Sequence, residues 1–203
     1  MEPPQLFVTL EELAGLPSDR CLTWAAALFT ATRRHYSRHF LDKNHQLELI
    51  DLAWRSVAIQ SIANEKKCRE LTESFYALVP AAEVEGYGSD VLSSSISLAA
   101  LVSTHDPREA LAVMDFTSVD FAVLVAYRQQ INLLDPSFPT EIAQAWGERF
   151  YAFGRELYEL VVVAKEDYCQ LLRASSIRVE CESIPEKMKR QLRMPPPLYE
   201  QFG

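Results

Sequence analysis

Residues 106–130 read D-P-R-E-A-L-A-V-M-D-F-T-S-V-D-F-A-V-L-V-A-Y-R-Q-Q, and this stretch decides the fold. It opens with a helix signature in which Asp106 is the N-cap, Pro107 takes the first helical position and Glu109 follows three residues after the cap. Two apolar rows then run along it at spacings of three and four: Leu111, Met114, Ser118, Phe121 and Val125, and Val113, Phe116, Asp120, Val123 and Tyr127. A helix that is apolar around most of its circumference is surrounded by other helices.

Periodic stretches on both sides predict further helices. A capping box from Thr9 to Glu12 opens a short helix that ends near Gly15, and longer helices are predicted over 19–40, 44–61, 65–79, 91–104 and 140–174. Pro80 is expected to end the helix over 65–79, because proline cannot donate the next backbone hydrogen bond. The sequence therefore predicts one all-α domain over 1–203, with about seven or eight helices and a less regular tail over 175–203.

Two local choices complete this fold prediction. The β-branched content of residues 119–127 would also suit a buried strand, but the length of the stretch and the cap upstream favour a helix. The helix over 91–104 is rich in serine and alanine, and small residues let helix axes approach closely. We therefore expect it to pack against the helix over 106–130.

Composition excludes several classes of protein. The chain has 203 residues and a net charge of −8, which argues against non-specific nucleic-acid binding and fits a soluble protein or one with a basic partner. Residues 91–102 form the most apolar run, which is too short to span a bilayer, and no signal peptide is recognised. The four cysteines form no C-x-x-C, so we expect reduced thiols in a cytoplasmic protein; they are Cys21, Cys68, Cys169 and Cys181.

Motifs for cofactors, metals and nucleophilic catalysis are missing from the sequence. It contains no Walker loop, no G-x-G-x-x-G, no G-x-S-x-G and no H-E-x-x-H. Helical-bundle metal sites use Glu-x-x-His pairs, whereas this chain offers only the reversed spacing at His45 and Glu48. We therefore expect no cofactor, no metal and no catalytic residue that can be named.

An acidic segment is the first candidate for a binding surface. Residues 80–90 are predicted to form a loop in which Glu83, Glu85 and Asp90 surround Tyr87. An aromatic side chain flanked by carboxylates suits a basic protein surface, since the ring anchors the partner and the charges steer it. The alternative is a loop that is acidic only because it faces water.

A second candidate site combines cations and helical carboxylates. Arg33, Arg34 and Arg38 could hold a phosphate, because guanidinium groups bind phosphate in a bidentate manner, although cations also gather at helix C-termini to meet the helix dipole. Asp51 and Asp120 are the carboxylates that could complete such a site. Asp120 interrupts an apolar row near Asp115, so it is either a functional carboxylate or a structural acid bonded to a neighbouring helix.

Several segments together resemble the YjaG-type family, a bacterial domain-of-unknown-function family. They are Leu49-Ile50-Asp51-Leu52-Ala53-Trp54, then Val79-Pro80-Ala81-Ala82 and Tyr87-Gly88, followed by the small-residue helix and the helix after it. The resemblance covers about 22–130 and implies a compact all-α bacterial cytoplasmic protein, without an activity or catalytic residues to transfer. Ser94 stands where we would expect an acid in that family, so the resemblance implies no acid-dependent site there.

These observations favour a non-enzymatic binding protein. Its concrete form is a bacterial immunity-type protein that neutralises a basic toxin through an acidic surface. The alternative is an enzyme acting on small molecules or phosphates through the arginine cluster and a helical carboxylate. A third class is a homo-oligomeric scaffold that associates through the helix over 140–174. Nucleic-acid and membrane partners are not expected.

Overall fold

A computed structural model describes residues 7–33, 43–58, 61–85, 89–128 and 140–163 of the chain. Seven α-helices account for nearly all of these residues: α1 (Leu10–Ala14), α2 (Ser18–Arg33), α3 (Lys43–Ala58), α4 (Ile62–Glu85), α5 (Ser89–Thr104), α6 (Pro107–Arg128) and α7 (Thr140–Val163). These ranges contain no β-strand. The all-α prediction is therefore confirmed.

Helix α6 begins where its sequence signature predicts. The Asp106 Oδ1 accepts a hydrogen bond from the backbone N–H of Arg108 at 3.0 Å, which satisfies one of the free donors of the first turn. The backbone N–H of Asp106 donates to Thr104 Oγ1 at 3.2 Å, so Thr104 takes the place that a capping box would give to Glu109. The helix continues to Arg128, which rules out a strand over 119–127.

The central position predicted for α6 is confirmed, and α2 shares it. Helix α6 contacts α1, α2, α5 and α7, and its inward side is buried from Ala110 to Ser118. Helix α2 is the more completely enclosed, since residues 21–30 are all buried. One side of α6 faces water, at Arg108, Asp115 and Val119.

Helix α5 packs between α4 and α6, as its small residues predict. Ser94 and Ser95 are fully buried, and each hydroxyl donates to the Val91 carbonyl, at 2.9 and 2.7 Å. These bonds within the helix satisfy the hydroxyl groups, so the serines act as small packing residues. Their size lets the neighbouring helices approach closely.

Two tryptophans connect α2 to its neighbours through hydrogen bonds inside the core. Trp24 Nε1 donates to the Gly154 carbonyl of α7 at 2.8 Å, and Trp54 Nε1 of α3 donates to Thr30 Oγ1 at 3.2 Å. A buried indole N–H without a partner would cost free energy, so these bonds fix the position of each ring. A Cβ at Gly154 would lie 2.5 Å from Met114 Cε, which shows how closely α6 and α7 approach.

Cys21 and Cys68 are buried free thiols, as the sequence predicts. Burial raises the pKa of Cys21 to about 11, and burial together with the charge of Glu48 raises the pKa of Cys68 to about 12. Both groups therefore stay protonated at neutral pH, which fits packing rather than thiolate chemistry. Cys169, Cys181 and the predicted tail over 175–203 lie outside the described residues.

The prediction that Pro80 ends its helix is wrong. Helix α4 continues through Pro80 to Glu85, and α5 begins at Ser89. Pro80 lacks the N–H that would bond to the Tyr76 carbonyl, but both residues lie on the exposed side of α4, where water can satisfy that carbonyl. The loop predicted over 80–90 is therefore mostly helical.

Helices α1 and α7 begin where the sequence predicts. At α1 the Thr9 backbone N–H donates to Glu12 Oε2 at 2.8 Å and the Glu12 N–H donates to Thr9 Oγ1 at 3.2 Å, which completes the predicted capping box. Helix α7 starts at Thr140 and is described as far as Val163.

Across the described ranges, no helix combines the length and apolar character that crossing a bilayer requires.

Candidate functional site

The three acidic residues of the predicted loop belong to two different helices. Glu83 and Glu85 lie in the last turn of α4, whereas Asp90 lies in the first turn of α5. Asp90 is half-buried, and loss of hydration raises the pKa of its carboxyl group. Tyr87 and the side chains of the two glutamates lie outside the described residues, so their grouping into one surface stays a prediction.

Of the alternative phosphate site, the structure describes the side chain of Asp51. Arg55 Nη2 lies 2.6 Å from Asp51 Oδ2, one turn along α3, so this carboxylate already has a cation on its own helix. The side chains of Arg33 and Asp120, and all of Arg34 and Arg38, lie outside the description.

His45 and Glu48 also have separate partners. The His45 ring packs edge-on against Phe75 with centroids 6.4 Å apart, and Glu48 lies 3.5 Å from Lys67 Nζ. Within the described ranges, no three His, Cys, Asp or Glu side chains come together in a way that could hold a metal ion.

The strongest polar cluster joins α1 to α7. Arg155 Nη1 donates to Glu12 Oε1 at 2.6 Å and Arg155 Nη2 donates to Glu12 Oε2 at 2.9 Å, which makes a bidentate ion pair between residues 143 positions apart. Hydrogen bonding to Arg155 is the main cause that lowers the pKa of Glu12 from 4.5 to about 2. The Arg155 guanidinium lies over the Tyr158 ring, 5.3 Å from its centroid, and the Tyr158 hydroxyl donates to the Glu12 carbonyl at 3.2 Å. We call Glu12, Arg155 and Tyr158 the latch.

The latch also positions Phe7 on the surface. Arg155 Nη2 donates to the Phe7 carbonyl, and the Phe7 ring packs edge-on against Tyr151 with centroids 4.8 Å apart. Half of Phe7 nevertheless remains exposed to water (50%). An aromatic ring that is both held in place and half exposed suits contact with another molecule.

Tyr151 connects this ring pair to a carboxylate. Its hydroxyl donates to Asp115 Oδ1 at 3.0 Å and accepts from Ser118 Oγ at 3.4 Å. Burial, followed by the charge of Asp115, raises the pKa of Tyr151, so the hydroxyl remains a neutral donor. Because that donor is neutral, the bond orients the exposed Asp115 carboxylate without cancelling its charge.

Further exposed groups lie beside this cluster. Val119, 46% exposed, follows Asp115 by one turn of α6, and the exposed Glu148 precedes Tyr151 by one turn of α7. Gln144 donates to Glu148 Oε1 at 3.1 Å, and this amide brings no positive charge to the glutamate. We call Phe7, Asp115, Val119, Glu148 and Tyr151 the aromatic–acidic surface.

Sequence reasoning did not find this surface. It considered Asp115 only as a neighbour of Asp120, and it gave Phe7 and Tyr151 no role. The capping box does show that Phe7 lies just before a helix start, but the contact with Tyr151 joins two distant parts of the chain. No local pattern predicts such a pairing.

Comparison of the chain with models of protein families, with curated proteins and with solved structures gave no significant match in any of the three. The resemblance to the YjaG-type family therefore stays a prediction.

Proposed function

We propose that this chain is a non-enzymatic binding protein that recognises a basic protein through an acidic surface. In its concrete form it is a bacterial immunity-type protein that acts in the cytoplasm and neutralises a basic toxin. The main support for the proposal is the aromatic–acidic surface, in which the half-exposed Phe7 ring packs against Tyr151 and the Tyr151 hydroxyl donates to the exposed Asp115 carboxylate.

The composition of this surface suits recognition of a protein. Phe7 and Tyr151 offer aromatic area at a small cost in conformational entropy, because the ring contact and the latch already restrict them. The carboxylates of Asp115 and Glu148 add attraction for a positively charged partner. The net charge of −8 acts over a longer range and raises the rate of encounter.

The pairing of other ionisable groups supports binding over the enzymatic alternative. Asp51, the described carboxylate of the alternative phosphate site, is paired with Arg55 at 2.6 Å. Glu12, with the most strongly lowered pKa, is held by Arg155 and contributes to the contact between α1 and α7. The Glu12 pair stabilises the fold, and structural ion pairs perturb pKa values without any catalytic role.

The test is capture of the partner from a native extract of the source bacterium. The purified full chain, immobilised at its C-terminus, should retain a basic protein at about 50 mM salt and release it at about 500 mM, because screening weakens charge attraction. For the immunity-type form, the retained protein should arrest growth when expressed alone, and co-expression of this chain should restore growth. Retention of no protein, or retention that does not depend on salt, would contradict the proposal.

A further inference from the structure

We infer that the partner inserts an arginine side chain into the aromatic–acidic surface, where it contacts the Asp115 carboxylate and the exposed ring of Phe7. This inference rests on the proposed function and narrows it. It names the chemical group that is recognised and the residues that receive it.

The exposed groups fit a guanidinium ion in two ways. A carboxylate can accept about four hydrogen bonds, and Tyr151 supplies one of them to Oδ1 of Asp115, so the exposed carboxylate has acceptor capacity for a planar donor. The half-exposed Phe7 ring packs against Tyr151, the residue that bonds this carboxylate, and a guanidinium stacks on an aromatic ring better than an ammonium ion does.

The latch provides a precedent within the same molecule. Arg155 forms a bidentate pair with Glu12 and lies 5.3 Å from the centroid of the Tyr158 ring, so one guanidinium contacts a carboxylate and an aromatic ring together. The aromatic–acidic surface presents the same two kinds of group on the outside of the molecule, without an arginine of this chain among its five residues. An arginine from a partner would complete the equivalent arrangement.

Two further residues near Asp115 indicate which side chains should flank the arginine in the partner. Glu148 adds a second negative charge that favours a cationic segment over a neutral one. Val119, 46% exposed, offers an aliphatic contact one turn from Asp115. We therefore expect the arginine to lie beside an aliphatic residue in the partner.

The experiment compares two synthetic peptides that differ at one position, with arginine or lysine at the centre of an otherwise identical leucine-containing sequence. Each is titrated into the isotopically labelled full chain, and backbone amide shifts are recorded. We expect the arginine peptide to shift the amides of Phe7, Asp115, Val119 and Tyr151, and to bind at least about fivefold more tightly than the lysine peptide.

Two variants and one matched control locate the contact. Asp115→Asn keeps an oxygen that can accept from Tyr151 but removes the charge, and Phe7→Ala removes the ring; each should weaken binding of the arginine peptide at least about fivefold. Glu73→Gln makes the same change of charge at an exposed position on α4 and should leave binding unchanged. Thermal melting of each variant shows whether it is folded.

Four results would overturn the inference. They are failure of both peptides to bind, equal affinity for the two peptides, shifts confined to another part of the chain, and equal weakening by Asp115→Asn and Glu73→Gln. In each of these cases, capture of a basic protein from the native extract would still support the proposed function. Failure of the inference can therefore be distinguished from failure of the proposed function.

Discussion

Replacement of Glu12 by glutamine is the most direct test of the latch. The change removes the charge that Arg155 binds at 2.6 and 2.9 Å, while an amide oxygen can still accept from the Thr9 N–H in the capping box. A fall in the pKa of Glu12 from 4.5 to about 2 corresponds to roughly 3 kcal/mol of stabilisation before screening. Because 30% of the Glu12 side chain is exposed, solvent screening reduces this figure. We expect a loss of about 2 kcal/mol at pH 7.

The effect should depend on pH in one direction. The pKa of Glu12 is lower in the folded state, so its contribution is fully present above 4.5 and is lost as the pH falls towards about 2. At pH 3.5 the stability advantage of the wild type over Glu12→Gln should be smaller than at pH 7 by about two-fifths. The assay is urea unfolding followed by circular dichroism at both pH values, which gives the free energy of unfolding of each protein.

A control substitution at the neighbouring Glu11 and a double-mutant cycle complete the test. Glu11→Gln removes the same charge from an exposed position on the same helix and should change the free energy of unfolding by less than about 0.5 kcal/mol. Arg155→Met keeps most of the apolar stem, so the cycle with Glu12→Gln isolates the coupling of the pair, which we expect to exceed about 1 kcal/mol. A Glu12→Gln effect that is equal at pH 7 and pH 3.5, or a coupling near zero, would refute the assignment of the latch.

Two further substitutions test the packing of α7 and the course of α4. Gly154→Ala should destabilise the fold by about 1–2 kcal/mol in thermal denaturation, because the new methyl group would lie 2.5 Å from Met114 Cε. Gly147→Ala is the control, since its methyl group would meet nothing within 4 Å, and it should be neutral or stabilising in the same assay. Pro80→Ala should raise the free energy of unfolding by about 1 kcal/mol, since it restores a backbone donor inside α4; a lower stability in urea unfolding would contradict the continuous helix.

The parts of the fold that sequence predicts well are those that short-range chemistry determines. The start of α6 follows from Asp106 and Pro107, and the start of α1 follows from Thr9 and Glu12, because each cap uses donors and acceptors a few residues apart. The small residues of α5 also predict correctly that it packs against α6, because small side chains let helices approach closely. For both caps the deciding contacts lie within one helical turn.

The incorrect and missed assignments depend on surroundings that no local pattern contains. Whether a proline ends a helix depends partly on whether the carbonyl it leaves free finds another partner, and on the exposed side of α4 water can satisfy that carbonyl. The pairing of Glu12 with Arg155 spans 143 positions, so it follows from the arrangement of α1 against α7 and not from spacing. The aromatic–acidic surface was missed for the same reason, because its residues come from three separate segments.

The latch and the aromatic–acidic surface share one segment of backbone, which would connect fold stability to the proposed recognition. Arg155 binds both the Glu12 carboxylate and the Phe7 carbonyl. The side chain that links α1 to α7 therefore also restricts the backbone of Phe7. If that segment were free, a partner would have to order it on binding, and the entropy cost would lower the affinity. Under the proposed function, the latch would therefore contribute to recognition without touching the partner. A partly buried bidentate pair at the edge of the helical core holds the backbone that carries a half-exposed aromatic side chain, and water is otherwise an unfavourable place for that side chain.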